Sequence, residues 1–423
     1  MIQLGILGLG TVGSGVAELI QKNQETIAKR LGKNIEIKKV LVRDLRKKRP
    51  FIAEGKITDN PGDILEDSDI SIVVELMGGE EPALTYIRQA LASGKHVVTA
   101  NKEVISKHGK ELLDLAQKEG VNLFFEASVG GGIPIIRPMK QCLAANEIIK
   151  IMGILNGTTN YILTQMTEKN KSFGEALLEA QKEGYAESDP TADIKGSDAA
   201  RKLAILSSIA FNTRITPDQV YTEGIDSVNL VDINYARELG YRVKLVAMGK
   251  RHSDEVEVLV APMLLRERHP LAGVSGVFNA ILVEGNAVGR VMFYGQGAGK
   301  MPTASAVVAD IIDAVRSKNG NKIYCTCYDE LNVMNPGLST ARFYLRLRVM
   351  DKPGVLSKIS GAMGENQISL SQVFQKNTQN GTAEIVMVTY EVPFENLQNA
   401  LDEIKAYRQV EEISSVIRVE GES

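Results

Sequence analysis

Glu187, Asp193 and Asp198 stand as three spaced carboxylates ahead of Lys202 in the segment Gly184-Tyr-Ala-Glu-Ser-Asp-Pro-Thr-Ala-Asp-Ile-Lys-Gly-Ser-Asp-Ala-Ala-Arg-Lys202. Carboxylates can hold an ammonium group, and a lysine can stabilise a developing oxyanion and relay a proton. Gly196-Ser197 predicts a helix start with Ser197 as N-cap, followed by apolar Ala199, Leu203, Leu206 and Ala210 at three-to-four-residue spacing. On that helix Asp198 and Lys202 share a face. Glu187 and Asp193 fall in a loop broken by Pro190, where side chains can converge on the helix start. An Asp and a Lys four apart are most often a solvated surface pair, so the segment decides little until the elements around it are placed.

The chain of 423 residues is too long for one ordinary core and predicts two or three domains. Its 44% hydrophobic and 24% charged residues are globular, and a formal charge of −3 gives no broad pull toward nucleic acid or anionic membrane. Small molecules and other subunits are the expected partners. Cys142, Cys325 and Cys327 form an odd set without CxxC, which supports neither a disulfide framework nor a zinc site. No pair among His96, His108, His252 and His269 has metal-ligand spacing. The N-terminus lacks a signal-peptide pattern and no apolar run approaches membrane-spanning length, so a cytoplasmic protein is expected.

Ile2 to Leu7 reads as a buried strand, Gly8-Leu-Gly10-Thr11-Val12-Gly13 follows it, and Val16, Leu19, Ile20 and Ile27 continue with helical spacing. This is GxGxxG in the context that gives it meaning. The first glycine permits the turn, the second admits a pyrophosphate, the third packs helix on strand, and the helix N-terminus stabilises the anion. A second strand, Ile35 to Val42, ends in Val42-Arg43-Asp44 with Arg46, Lys47, Lys48 and Arg49 behind it. Arg43 suits the 2′-phosphate of NADP, whereas Asp44 in a solvated charged loop would serve NAD; both stay open. Strands at 70–75, 96–99 and 123–126, separated by helices at 82–92 and 107–119, predict a doubly wound parallel sheet. Their carboxyl ends carry Met77, Thr99, Lys102 and Ser128, and open sheets of this kind bind ligands at that edge.

Beyond Gly130-Gly-Gly-Ile-Pro134 the pattern changes to a strand from Ile148, a polar turn at Asn156-Gly157-Thr158-Thr159-Asn160, and a helix. Strands near 243–248, 256–262 and 279–288 suggest a mixed sheet with antiparallel hairpins that carries subunit contacts. In order and spacing, GLGTVG, TANK, EASVGGGIP, NGTTNYI, GYAESDPTADIKGSDAARK and GQGAGKMPTASAVVAD resemble the homoserine dehydrogenase family over residues 1 to about 320. The resemblance implies NAD(P)-dependent interconversion of L-homoserine and L-aspartate 4-semialdehyde, in the branch toward threonine, methionine and isoleucine.

Carried over, it makes Lys202 the acid-base, Lys102 a residue reaching both cofactor and substrate, and Glu187 and Asp198 the groups that hold homoserine. Tyr185, Gly157, Thr158 and Asp193 complete the substrate shell. Gly8, Gly10, Thr11, Val12, Gly13, Arg43, Met77, Thr99 and Gly297 join Lys102 around the cofactor. A monovalent cation, usually sodium in the family, would meet main-chain carbonyls of Glu126, Val129, Gly131 and Ile133. The chain would return to the first domain through Gly297 and the helix 304–315. A competitor acting on the same aldehyde, aspartate semialdehyde dehydrogenase, needs a cysteine nucleophile; Cys142 has no evident activating partner, which excludes it.

Phe343, Leu345, Leu347 and Val349 alternate with Arg342, Tyr344, Arg346 and Arg348, which predicts a half-buried strand with a solvated basic outer row. The elements that follow, a helix at 354–364, strands near 370–375 and 383–392, a helix at 394–407 and a strand at 416–419, give the order βαββαβ. With Asp351-Lys-Pro-Gly354-Val355 and Asn366-Gln-Ile368, this stretch resembles an ACT domain. That resemblance implies edge-to-edge pairing and an amino-acid effector, threonine first, at Asp351, Gly354, Val355, Asn366 and Ile368.

The expected architecture is therefore α/β: a Rossmann-type dinucleotide-binding domain (1–130, completed by about 300–320), an α+β catalytic and dimerisation domain (131–300), a linker (321–340) and a C-terminal ferredoxin-like βαββαβ ACT domain (341–423). A monofunctional, feedback-regulated homo-oligomer, dimer or tetramer, is the leading reading. The alternative is a sensor that binds nucleotide and amino acid without chemistry.

Overall fold

The computed structural model describes residues 1–47, 49–317, 325–379 and 381–421; Lys48 of the basic run, 318–324 at the junction of return helix and linker, Asn380, and the last two residues lie outside them. The chain forms two compact units, Met1–Ile151 with Arg201–Val220 and Phe278–Leu331, and Met152–Ala200 with Tyr221–Val277 and Asn332–Ser423.

The first unit is built on a six-stranded parallel sheet in the order Ile57–Thr58, Ile35–Leu41, Ile2–Leu7, Ile70–Glu75, His96–Thr99, Leu123–Phe124. Its direction of growth reverses between Ile2–Leu7 and Ile70–Glu75, the switch point where ligands bind in such sheets. Register puts the carboxyl ends side by side, with Leu7 opposite Leu41 and Glu75, and Glu75 opposite Thr99. Leu4, Ile6, Ile72, Val74 and Val98 are buried together with Ala304, Val307 and Ile311 of the helix Lys300–Ser317. The late helix thus completes the early core.

The element boundaries differ from expectation where polar side chains intervene. The long first helix divides at Asn23 into Thr11–Lys22 and Gln24–Leu31. The helix expected from 107 begins at Lys102, because Asn101 caps it by accepting from Val104 N. The strand expected at 279–288 turns after Gly285 and returns as Gly289–Gln296, with Gly289 at φ +70° supplying the left-handed turn residue.

In the second unit the strands Tyr241–Arg251 and Glu255–Arg266 form an antiparallel hairpin, and the latter pairs in parallel with Val410–Glu420, Met263 opposite Arg418. From there the sheet continues through Thr340–Met350, Thr382–Thr389 and Leu370–Gln379. The helices Val355–Glu365 and Phe394–Lys405 pack on one face through Ile359, Met363, Leu397 and Ile404. This is the βαββαβ module, its last strand hydrogen-bonded to the preceding hairpin.

That junction corrects the expected solvated row. Arg342, Tyr344 and Arg346 are buried, and only Arg348 is exposed. Arg346 bonds both carboxylate oxygens of Asp232, at 2.7 and 3.3 Å, and Glu384 at 2.9 Å. Tyr344 donates to the same Asp232. Alternation located the inner row, but it could not show that the other face lies against the helix Leu230–Glu238.

Candidate active site

Gly8 sits at φ +95°, and a Cβ there would lie 2.8 Å from the Leu76 carbonyl oxygen. A Cβ on Gly13 would come within 2.5 Å of the Gly8 oxygen, whereas one on Gly10 would meet nothing within 4 Å. The helix that begins with Thr11 and Val12 has no side-chain cap and no acidic residue in its first turn. Its N-terminal amides and dipole are therefore left for an anion, in front of Gly10, the one of the three fingerprint glycines with no atom of the described residues within 4 Å of its Cβ position. These residues fit a dinucleotide pyrophosphate.

Arg43 is exposed just past the second strand. Asp44 accepts from both the backbone and the guanidinium of Arg46, bonds that hold its carboxyl below the usual range. Across the switch point, Glu75 accepts from Thr99 Oγ1 at 2.6 Å and Met77 N at 2.7 Å, while burial pushes its carboxyl upward. One buried carboxylate, passed over in the sequence, thus fixes both Met77 and Thr99. Asn101 ties the next turn to Gly79 and starts the helix whose first residue is Lys102.

Glu126, whose carbonyl is an expected cation ligand, also accepts the amides of Ile135, Ile136 and Arg137 with its carboxylate at 2.5–2.8 Å. It thereby closes the loop on itself. Gly131 packs backbone to backbone on Gly297, where a Cβ would lie 2.4 Å from the Gly297 oxygen, and Gly132 N donates to Gln296 O. The amides of Val129 and Ile133 bond within the loop, while the carbonyls of Val129, Gly131 and Ile133 accept no hydrogen bond among the described residues. Buried carbonyls left in this way suit a cation held by the main chain. Asp310 accepts the Glu126 amide; burial, then the Glu126 carboxylate, push its carboxyl up to about 8.

The second unit carries the other group of candidates. Asn156 follows the strand Ile148–Ile154 and caps the helix Gly157–Lys169, accepting from Thr159 N. Its amide nitrogen donates to Asp193 Oδ1 at 2.7 Å and Asp198 Oδ2 at 2.9 Å. Two of the three expected carboxylates are thus held by one residue that the sequence reading left unassigned. Its signal was present, since Asn in the first position of NGTTN is a strong N-cap type. Thr158 Oγ1 donates to the Tyr185 carbonyl, and the Tyr185 ring lies on Tyr161 at 4.9 Å. Glu187 is exposed, and its carboxylate makes no hydrogen bond or ion pair among the described residues. Asp193 lies in a one-turn helix, Thr191–Ile194, instead of the expected loop.

The helix of Asp198 and Lys202 runs Ser197–Ala210 without a break. Ser197 does not cap it: its hydroxyl donates to Ala192 O, and Gly196, at φ +82°, takes the preceding position. Lys202 follows buried Asp198 by one turn.

The expected effector residues do not converge within one chain. Asp351 and Gly354 lie at the start of the helix Val355–Glu365, and Gly354, at φ +87°, leaves the helix without a side-chain cap. Asn366 and Ile368 lie past its far end, about 16 Å away by helical rise. Asn366 donates to Ala362 O, and Ile368 is buried in the module's core.

Among the described residues no helix is long and apolar enough to cross a membrane. Family models match three stretches: "Homoserine dehydrogenase, NAD binding domain" over 8–126, "Homoserine dehydrogenase" over 134–312 and "ACT domain" over 343–409. A homoserine dehydrogenase of Synechocystis is 46% identical, with 99% of each chain covered. The crystal structure of a homoserine dehydrogenase from Thiobacillus denitrificans superposes with a TM-score of 0.94 at 42% identity, covering 99% of this chain and 98% of that one. A hyperthermophilic archaeal homoserine dehydrogenase in complex with NADPH matches with a TM-score of 0.63 at 29% identity, covering 75% of this chain and 98% of that one.

Proposed function

The chain belongs to the homoserine dehydrogenase family, an NAD(P)-dependent oxidoreductase with a C-terminal ACT domain, and we propose on that premise that it interconverts L-homoserine and L-aspartate 4-semialdehyde with Lys202 as its acid-base. The observation that carries this reading is the Asn156 amide holding Asp193 and Asp198 together one turn ahead of Lys202. Carboxylates gathered in this way suit the ammonium of an amino-acid substrate, with exposed Glu187 contributing a further negative charge and Tyr185, Gly157 and Thr158 shaping the pocket wall.

When bound, the nicotinamide supplies or accepts the hydride. Lys202 donates a proton to the substrate's terminal oxygen during aldehyde reduction and takes one during alcohol oxidation, and Lys102 stabilises negative charge at that oxygen. Gly8, Gly10, Thr11, Val12 and Gly13 would hold the pyrophosphate, while Met77, Thr99 and Gly297 would border the nicotinamide end. Exposed Arg43 favours NADP, a choice supported by the NADPH complex of the archaeal relative. A monovalent cation, sodium by preference, would sit on the carbonyls of Glu126, Val129, Gly131 and Ile133.

We assign residues 1–130 to nucleotide binding, 131–300 to catalysis and dimerisation, 321–340 to a linker and 341–423 to regulation. The enzyme is read as cytoplasmic, at least dimeric, and placed in the route to threonine, methionine and isoleucine. Threonine, as effector, would use Asp351, Gly354 and Val355 of one ACT module with Asn366 and Ile368 of another, since one module keeps these groups a helix length apart.

Initial rates of L-homoserine oxidation with NAD and NADP in parallel, with sodium and with or without threonine, test this reading. Turnover is expected, and Lys202→Ala should lose about 10²–10⁴-fold in kcat with nucleotide affinity intact. Retained turnover in that variant would remove Lys202 from the chemistry.

A further inference from the structure

Arg418 is only 4% exposed, yet its Nε and Nη2 have no hydrogen-bond partner among the described residues. Nη1 donates to Ser339 Oγ at 3.3 Å. The guanidinium carbon lies 4.7 Å from the Phe394 ring, 5.2 Å from Phe343 and 5.7 Å from Tyr221. Aromatic faces attract a cation, but they accept none of its N–H bonds, and a buried guanidinium left with two unmet donors is costly. Such a group calls for an acceptor that arrives from outside.

The side chain borders a cavity of about 200 Å³. Its walls are apolar along Phe343, Phe394, Leu401 and Val416, and Glu223, whose carboxylate accepts from the Tyr221 hydroxyl, lines the same cavity. One guanidinium, one carboxylate and an apolar lining complement a molecule with a carboxylate, an ammonium and a compact apolar part. We propose that this cavity binds a free α-amino acid, with Arg418 on its carboxylate, Glu223 on its ammonium and the aromatic wall on its side chain.

The site is separate from the effector position at Asp351 and Gly354. Phe343 lies near the beginning of the strand Thr340–Met350 and Asp351 just past its end, roughly 26 Å apart at strand rise. Its position ties it to the substrate carboxylates. Arg418 pairs with Phe343 on one side and with Met263 on the other, so it stands on the strand that joins the ACT module to the catalytic hairpin. Glu223 N donates to Val260 O, and two residues later Ile225 N donates to Ile194 O, next to Asp193. A Cβ on the intervening Gly224 would lie 2.4 Å from that Ile194 oxygen. Movement of Glu223 on ligand binding therefore presses on the turn that holds Asp193. This consequence for homoserine binding rests on the catalytic reading above; occupancy of the cavity does not.

Isothermal titration of the full-length protein with L-valine, L-threonine and L-isoleucine, and with isobutyrate as a carboxylate lacking the amine, tests the site. At least one amino acid is expected to bind, isobutyrate at least tenfold more weakly, and Arg418→Gln should weaken the amino acid at least tenfold. If circular dichroism shows that Arg418→Gln is misfolded, Gln398→Trp, an exposed helix position at the rim, fills the cavity and should abolish binding. No binding by any of the three, or equal binding in the folded Arg418→Gln or the Gln398→Trp variant, overturns the proposal. The bound amino acid should also shift KM for homoserine at least twofold; an unchanged KM with turnover present would refute the coupling to Asp193. Absence of turnover would instead count against the catalytic reading and leave the titration to decide the site.

Discussion

Asn156 and Asp198 are joined by a hydrogen bond of 2.9 Å from the amide nitrogen of one to a carboxylate oxygen of the other. The same nitrogen reaches Asp193 at 2.7 Å, so a neutral donor sits between two acids that would otherwise repel each other.

Replacing Asn156 with Ala removes that donor and the helix cap together. The cap alone is worth about 1 kcal/mol, a loss the protein should survive. KM for homoserine is expected to rise roughly 10–100-fold, the equivalent of losing one or two charge-orienting hydrogen bonds, with NADP affinity unchanged. Steady-state kinetics beside nucleotide titration reads both. A KM within twofold of wild type would show that the two aspartates need no common donor.

Gly10 and Gly13 belong to one fingerprint but fail in different ways. A Cβ on Gly10 meets no atom of the described residues within 4 Å, so Gly10→Ala should fold with unchanged Tm and bind NADP at least tenfold more weakly. On Gly13 the added carbon meets the Gly8 oxygen at 2.5 Å, and Gly13→Ala should cost roughly 1–3 kcal/mol of stability. Thermal melts with and without nucleotide separate the cases. Equal melting losses in both would contradict this division of labour.

The parallel sheet was legible because Ile2–Leu7, Ile70–Glu75 and His96–Thr99 are short, mostly apolar runs, and their observed bounds match the expected ones. The ACT module was legible from the inner row Phe343, Leu345, Leu347 and Val349, all buried. Side chains whose role depends on a distant partner were not. Glu75 and Asn156 meet Thr99 and Asp198 across 24 and 42 residues, and no local periodicity encodes such meetings. Arg346 reads as surface in its own strand, and only the helix that presents Asp232, 114 residues away, explains its burial.

The buried pair Arg346 and Asp232 sets up a test of that burial. Removing one partner leaves the other charge in a dry site, so Asp232→Ala should lower stability by about 3–5 kcal/mol. The double change Asp232→Leu with Arg346→Met removes both charges and should cost less than Asp232→Ala alone, although Glu384 and Tyr344 lose a partner each. Urea melts of the single and double variants give the comparison. Additive losses would mean that the pair is not coupled.

Asp310 predicts a pH dependence whose sign follows from its surroundings. Its carboxyl titrates near 8 in the folded protein, because burial and the Glu126 carboxylate outweigh Arg137, and near 4 in an unfolded chain. Between those values the folded state holds more protons than the unfolded one, so this group's stabilisation is complete below about pH 4 and is lost as pH rises toward 8. Asp310→Asn keeps the shape and an acceptor for the Glu126 amide while removing the titration. Its Tm relative to wild type should therefore climb between pH 5 and pH 8.5 and then level off. A difference that stays constant over that range would show that Asp310 is already ionised at neutral pH, held by Arg137 at 3.2 Å.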